Sequence, residues 1–148
     1  MPYLKTSICR IVSIASVIRT EKGHSNVALS LTSLPHNVDD PKQTAEAEII
    51  SRFPNAVGDK KTQLVGFNSA NADLKILVQR VNAISVQAAK FAKRSDKPWE
   101  NYDYFDARNS EGHIDLVQIQ EGFGKSSPSL NEMTAVCGIS GKLGIIGQ

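Results

Sequence analysis

The chain has 148 residues and a mass of 16.1 kDa, which predicts a single domain over residues 1–148. Apolar residues make up 41% of it and charged residues 22%, so the composition excludes a disordered or collagen-like chain. A net charge of +2 is too balanced to indicate nucleic-acid binding by itself. Polar residues interrupt the longest apolar stretch, residues 8–18, so no membrane span is expected, and the N-terminus lacks signal-peptide features. We therefore expect a soluble, cytoplasmic protein with no membrane partner, in which Cys9 and Cys137 are reduced, buried thiols rather than a disulfide.

The first half of the chain predicts a hairpin followed by a helix. Residues 8–18 are dense in β-branched side chains, which favours a strand, and residues 26–31 alternate as a second strand. Glu-Lys-Gly ending at Gly23 is a turn sequence, so the two strands are expected to pair antiparallel. After a loop over residues 34–42, a helix is expected to begin at Thr44 and to end near Pro54.

The second half alternates short apolar runs with helical patterns. Residues 63–67 predict a buried strand, residues 68–72 a polar loop, and the spacing of apolar residues from Asp73 predicts a helix that extends to Lys93. Residues 95–112 have no clear period, and residues 113–119 predict a further strand or the passage from a strand into a helix.

A last helix is marked at both ends. Ser129 and Glu132 form a capping box, and Gly138 follows the expected end of the helix at Cys137. The order β-β-α-β-α-β-α predicts an α/β fold whose sheet has an antiparallel edge.

One carboxylate lies where α/β proteins place their ligands. Asp73 stands at a helix N-terminus, beyond the carboxyl end of the strand at residues 63–67. It fits two roles: a helix cap, or a ligand of a hard cation such as Mg²⁺, which prefers oxygen donors. Because one aspartate does not make a metal site, further ligands would have to come from elsewhere in the chain.

Four stretches carry a family resemblance. Residues 64–69, Leu-Val-Gly-Phe-Asn-Ser, followed by Asp73, resemble the second motif of DEDD-type 3′–5′ exonucleases, in which an Asn precedes the metal-binding Asp by five residues. The other stretches are residues 9–15, residues 113–116, and Ser129-Leu130 together with the Gly-Lys-Leu-Gly region of residues 138–144. Over all 148 residues, the chain resembles the predicted 3′–5′ exonucleases related to the exonuclease domain of family-B DNA polymerases.

The resemblance implies a fold, an activity and a site. The fold is a ribonuclease H-like mixed α/β sheet with flanking helices, and the activity is metal-dependent hydrolysis of phosphodiesters at nucleic-acid 3′ ends. Asp73 becomes the catalytic residue and a ligand of Mg²⁺ or Mn²⁺, and single-stranded or 3′-end nucleic acid becomes the partner. The expected nucleic-acid-binding residues are Asn68, which would also set the strand-to-helix turn, Ser69, His113 and Asp115.

Departures from the family pattern predict an incomplete domain. The family's first strand, which carries Asp-x-Glu, and its last helix, which carries a final catalytic Asp, have no counterpart in the sequence. Ala72 and Gln118 also stand where an aromatic residue and a second acid are usual. Two-metal hydrolysis needs several carboxylates, so the full active site is expected to be lacking. The alternative function is that of a catalytically inactive nucleic-acid-binding or interaction remnant.

The missing strand would also affect stability. In the ribonuclease H-like arrangement it lies between the hairpin and the first parallel strand, so the strand at residues 8–18 would keep an unpaired edge. We therefore expect a marginally stable or aggregation-prone chain.

Several other residues keep two interpretations. His113 is a catalytic or nucleic-acid-contacting residue, or it is structural. Asp115 faces a cleft near Asp73, or it caps the segment that follows it. Three aromatic residues are base-stacking platforms or part of the core: Trp99, Tyr102 and Tyr104. Four basic residues complement a helix dipole or contact a phosphate backbone: Lys90, Lys93, Arg94 and Lys97.

Overall fold

The computed structural model describes residues 9–23, 26–93, 103–106, 110–121 and 127–140. The chain divides into two compact units, Met1–Thr62 with Ala72–Lys93, and Gln63–Asn71 with Arg94–Gln148. Within the described ranges, no helix is long and apolar enough to cross a membrane. The elements are β1 (Ile14–Lys22), β2 (Asn26–Leu34), α1 (Glu46–Lys60), β3 (Leu64–Gly66), α2 (Asp73–Ala83), α3 (Ala89–Ala92), β4 (His113–Asp115), α4 (Leu116–Glu121) and α5 (Leu130–Val136).

The first unit begins with the expected hairpin. β1 and β2 pair antiparallel from Ile14 opposite Leu34 to Lys22 opposite Asn26. Gly23 has a φ of +71°, a left-handed conformation that glycine adopts without steric cost. The hairpin prediction is confirmed, although β1 begins only at Ile14 and β2 continues beyond residue 31 to Leu34.

The hairpin exposes much of its apolar surface. Val17 and Leu31 are opposite each other and are 65% and 80% exposed. Leu29, on the same face, is 68% exposed. Among the described strands, β1 pairs with β2 alone, so its other edge has no described strand beside it. Such an edge offers its backbone groups to any chain that comes near.

Helix α1 continues through its proline, so the prediction that Pro54 ends the helix was wrong. The proline ring removes one backbone donor and crowds the preceding turn. Pro54 is nevertheless buried together with Ile49, Ile50 and Val57, and the burial of this apolar face stabilises the helix across the interruption.

The predicted helix from Asp73 to Lys93 is divided in two. α2 ends at Ala83, and Ser85 adopts a φ of +55°. The amide of Val86 then donates to the carbonyl of Val81 at 3.1 Å, which is the hydrogen bond of a Schellman ending. α3 packs against α1 at Gly58, where a Cβ would lie 2.7 Å from the backbone nitrogen of Phe91.

The second unit is built on a short parallel pair of strands. Leu64 of β3 lies opposite His113 of β4, and Gly66 lies opposite Asp115. Of the two interpretations of residues 113–119, the passage from a strand into a helix is confirmed, because β4 ends at Asp115 and α4 begins at the next residue. The described strands therefore form two separate pairs within a mixed α/β structure.

Helix α5 agrees with its sequence signals. The Ser129 hydroxyl accepts the amide of Glu132, and the Glu132 carboxylate accepts the amide of Ser129, as the capping box predicts. Gly138 has a φ of +66°, and the amide of Ile139 donates to the carbonyl of Thr134 at 2.8 Å. Both ends of this helix are thus determined by local sequence. Cys137, its C-cap residue, is exposed and Cys9 is only partly buried, so the prediction that both thiols are buried was wrong.

Candidate functional site

The site lies where the parallel strands β3 and β4 end. Parallel strands present their carboxyl ends at the same edge, and ligands of open α/β sheets bind beyond that edge. Gly66 and Asp115 are paired as the last residues of the two strands. The loop after β3, residues 67–71, belongs to the same unit as β4, and β4 directs side chains toward it.

The buried carboxylate of Asp115 accepts hydrogen bonds from the backbone of this loop. Its side chain is fully buried, and its Oδ1 accepts the amide of Asn68 at 2.8 Å while Oδ2 accepts the amide of Ala70 at 3.0 Å. Oδ1 also accepts the amide of Val117 at 3.1 Å, in the first turn of α4. Asp115 therefore acts on the loop backbone, and its oxygens are already engaged by N–H donors.

A second contact joins the loop to β4. The Ser69 hydroxyl lies 2.7 Å from Nε2 of His113, and both side chains are buried. Burial lowers the pKa of His113 from 6.5, although the nearby charge of Asp115 acts to raise it. The imidazole is therefore held in its neutral form near neutral pH.

Gly66 permits this close approach. A Cβ on Gly66 would lie 2.3 Å from the Ser69 hydroxyl oxygen and 2.5 Å from its Cβ, well inside van der Waals contact. Only glycine therefore leaves space for Ser69 to reach His113. A glycine at the end of a strand is the sequence signal for such a close approach, and Gly66 carries it.

The loop exposes its two asparagines. Asn68 has a φ of +58°, a conformation that asparagine tolerates better than most residues, and its side chain is exposed. Asn71 is also exposed and donates from Nδ2 to Oδ1 of Asn68 at 3.3 Å. The loop thus has a fixed backbone and presents amide groups to solvent.

Asp73 belongs to the other unit. It is the first residue of α2 and is exposed, so the prediction that it lies in the first helical turn is confirmed. Its carboxylate complements the positive end of the helix dipole, which accounts for an aspartate at this position without any ligand.

The described residues do not fit a pair of catalytic metal ions. No group of three or more His, Cys, Asp or Glu side chains that could hold a metal occurs among them. Asp115 already accepts three backbone N–H groups, and Asp73 would supply only one carboxylate. Because two-metal hydrolysis needs several carboxylates around the ions, we derive no catalytic step through a metal.

The aromatic and basic candidates have different positions. Tyr104 is 2% exposed and belongs to the core, so it offers no surface for base stacking. Lys90 forms an exposed ion pair with Asp59 at 2.7 Å, and Lys93 is exposed. The remaining members of both groups lie outside the described residues: Trp99, Arg94, Lys97 and Tyr102.

The family assignment comes from comparison with known proteins. No curated protein and no solved structure matches the chain. The family model described as "predicted 3′–5′ exonuclease related to the exonuclease domain of PolB" matches residues 1–148. The motif containing Asn68 and Asp73 thus lies inside a match that covers the whole sequence. The chain belongs to this family of predicted 3′–5′ exonucleases.

Proposed function

We propose that this chain is a 3′–5′ exonuclease-like domain that binds the 3′ end of a single nucleic-acid strand at the loop of residues 67–71. The observation that carries the proposal is the buried Asp115 carboxylate, which holds the loop backbone at Asn68 and Ala70. A loop fixed in this way presents its exposed amide side chains with little loss of conformational entropy on binding. The family assignment supplies the class of ligand.

The same proposal includes the fold and the partner. A ribonuclease H-like arrangement would place β3 and β4 within a larger mixed sheet and the loop at its carboxyl edge. Exposed asparagine amides can both donate to and accept from phosphate, sugar and base groups. Ser69 and His113, which we expected to bind nucleic acid directly, would act by supporting the loop, since both are buried.

We further propose that the chain does not hydrolyse nucleic acid by itself. The family implies Mg²⁺ or Mn²⁺, and Asp73 is the residue that the motif assigns to the metal. The described residues provide no group of three metal-binding side chains to accompany it. The metal-binding side chains of the described residues therefore agree best with a domain that binds nucleic acid and does not cleave it.

Hydrolysis remains the second candidate because one observation favours it. Asp73 is exposed in the first turn of α2, at the position that the exonuclease motif gives to a metal ligand. A chain that uses this carboxylate would degrade a single strand in a manner that depends on the divalent cation.

Two assays test the proposal on the 148-residue chain. In EDTA, fluorescence anisotropy of 5′-labelled DNA and RNA single strands is expected to show binding. Asn68→Gly, which keeps the positive φ without strain, should weaken it by about tenfold, the effect of losing one or two hydrogen bonds. Asn131→Ala, at an exposed position on α5, is the control and should bind like the wild type.

The second assay incubates the same strands with Mg²⁺ or Mn²⁺. We expect no shortening from the 3′ end above background. Equal binding by Asn68→Gly and the wild type would contradict the proposed binding site. Degradation that Asp73→Ala abolishes would establish hydrolysis and replace the inactive alternative.

A further inference from the structure

Three backbone N–H groups converge on one buried carboxylate in the second unit. The donors are Asn68, Ala70 and Val117, at 2.8, 3.0 and 3.1 Å from the oxygens of Asp115. The first two come from the loop after β3, and the third from the first turn of α4. The Asp115 side chain therefore connects the loop after β3 to the start of α4, and in both segments it binds only backbone N–H groups.

The arrangement is that of an anion-binding loop. Backbone amides that point into one concavity bind anions in proteins, often beside a residue in the left-handed conformation. Asn68 has this conformation, with a φ of +58°. Among the described residues no lysine or arginine forms an ion pair with Asp115, so N–H dipoles provide the stabilisation of its charge.

This internal anion determines how the loop can bind a ligand. Because the amides of Asn68 and Ala70 are directed at Asp115, they are not available to an incoming phosphate. Contact with a nucleic-acid strand is left to exposed side chains such as Asn68 and Asn71. The orientation of those side chains then depends on the carboxylate beneath them.

We infer that Asp115 is a positioning residue, whose carboxylate occupies the anion site of the loop and sets the conformation in which the loop binds nucleic acid. Removal of the carboxylate should leave a site of the right size and polarity for a small carboxylate anion. The effect on nucleic-acid affinity rests on the proposed function, whereas the effect of an added anion on the loop does not.

Chemical rescue tests the inference. Asp115→Ala removes the carboxylate, and formate can replace it beside the loop amides. We expect the variant to bind a 5′-labelled DNA strand about tenfold more weakly than the wild type, which corresponds to the loss of one or two net hydrogen bonds. Sodium formate, compared with sodium chloride at equal ionic strength, should raise its melting temperature and restore its affinity, with no such effect on the wild type.

Two further variants separate positioning from general stability. Ile50→Val removes buried side-chain volume from α1, in the first unit, so it should lower the melting temperature without weakening the affinity of the folded protein. Asp115→Asn keeps the volume but sets an amide group against backbone donors, so it should weaken binding and gain nothing from formate. If Asp115→Ala does not fold, Asp115→Asn tests the inference by NMR. The amide protons of Asn68 and Ala70 should shift upfield relative to the wild type, because they lose a charged acceptor.

The outcomes are distinct. Wild-type affinity in Asp115→Asn, or unchanged Asn68 and Ala70 amide shifts in that variant, would overturn the inference. A folded Asp115→Ala whose melting temperature is the same in formate and chloride would overturn it also. If the wild type binds no nucleic acid, the proposed function is wrong. The response to formate and the amide shifts would still show whether the carboxylate determines the conformation of the loop.

Discussion

Arg80 binds Glu46 through two parallel hydrogen bonds, each 2.7 Å long, from Nε to Oε1 and from Nη2 to Oε2. Glu46 is 8% exposed and lies in the first turn of α1, while Arg80 lies in the last turn of α2. The amide of Ile11 also donates to Oε1 at 2.9 Å. One carboxylate therefore connects α1 and α2 of the first unit to the segment before β1.

Replacement of Glu46 by Gln should destabilise the first unit by more than the roughly 1 kcal/mol of an exposed ion pair, because it leaves the partly buried Arg80 guanidinium without its counter-charge. Urea unfolding, followed by circular dichroism, measures the loss. Glu48→Gln is the control, since Glu48 forms an exposed pair with Arg52 that should contribute under about 1 kcal/mol. Equal losses in the two variants would contradict the prediction.

The same pair makes stability depend on pH. The hydrogen bond from Arg80, followed by that of Ile11, lowers the pKa of Glu46 from 4.5 despite its burial. The contribution to stability is therefore complete above pH 4.5 and is lost as the pH falls through the lowered pKa. Urea midpoints should be measured from pH 6 down to pH 3, about the range in which carboxyl groups titrate. They should fall less steeply with decreasing pH in Glu46→Gln than in the wild type. If the urea midpoints of the variant and the wild type fell in parallel with pH, the protonation of Glu46 would not be linked to folding.

His113 should give a pH dependence at higher pH. Burial lowers its pKa in the folded state below the unfolded value of 6.5, so the unfolded chain takes up the proton first. Stability should be complete above pH 6.5 and should decrease as the pH falls below it, by up to about 1.4 kcal/mol per pH unit. His113→Gln, which can still bond Ser69, should remove this slope, and His36→Gln at an exposed position should retain it. A slope that survives in His113→Gln would assign it to another group.

Ser129 should control the helix that it caps. None of the α5 residues is buried, so packing cannot compensate for a lost cap. Ser129→Ala should destabilise α5 by about 1 kcal/mol. Amide hydrogen exchange at Met133 is the appropriate measurement, because local opening of α5 need not change the global melting temperature. Ser129→Asp should keep the protection and Ser127→Ala should not change it, whereas protection retained in Ser129→Ala would contradict the prediction.

The exposed face of the hairpin should promote self-association. Leu31 is 80% exposed opposite Val17, on a strand pair whose β1 edge has no described strand beside it. Leu31→Thr keeps strand propensity and removes apolar surface, so static light scattering should show less association at high protein concentration. Its unfolding free energy should change by less than about 0.5 kcal/mol. Leu34→Thr, at a partly buried position, is the contrasting variant and should destabilise the chain. A large loss of unfolding free energy in Leu31→Thr would mean that this side chain is covered in solution.

Local patterns predicted the elements whose signals lie within a few residues. The turn at Gly23, the capping box at Ser129 and the start of α2 at Asp73 all agree with the structure. The predictions that were wrong have two different causes. Pro54 remains helical because packing buries its face, which outweighs the local preference of proline. Ser85 ends α2 through a local hydrogen bond, in a left-handed conformation more typical of glycine, and apolar spacing does not reveal such an ending.

The sequence by itself determined the family, the α/β class and the place of Asn68 and Asp73 at a strand-to-helix turn. Only the tertiary structure decided the role of Asp115, because its partners Asn68 and Ala70 are 47 and 45 residues away in the chain. An aspartate that follows a strand is compatible with a cap, a metal ligand or an internal anion, and sequence spacing does not distinguish them. The distinction depends on which backbone amides the folded chain brings to the carboxylate, since a buried charge is stable only where such donors surround it.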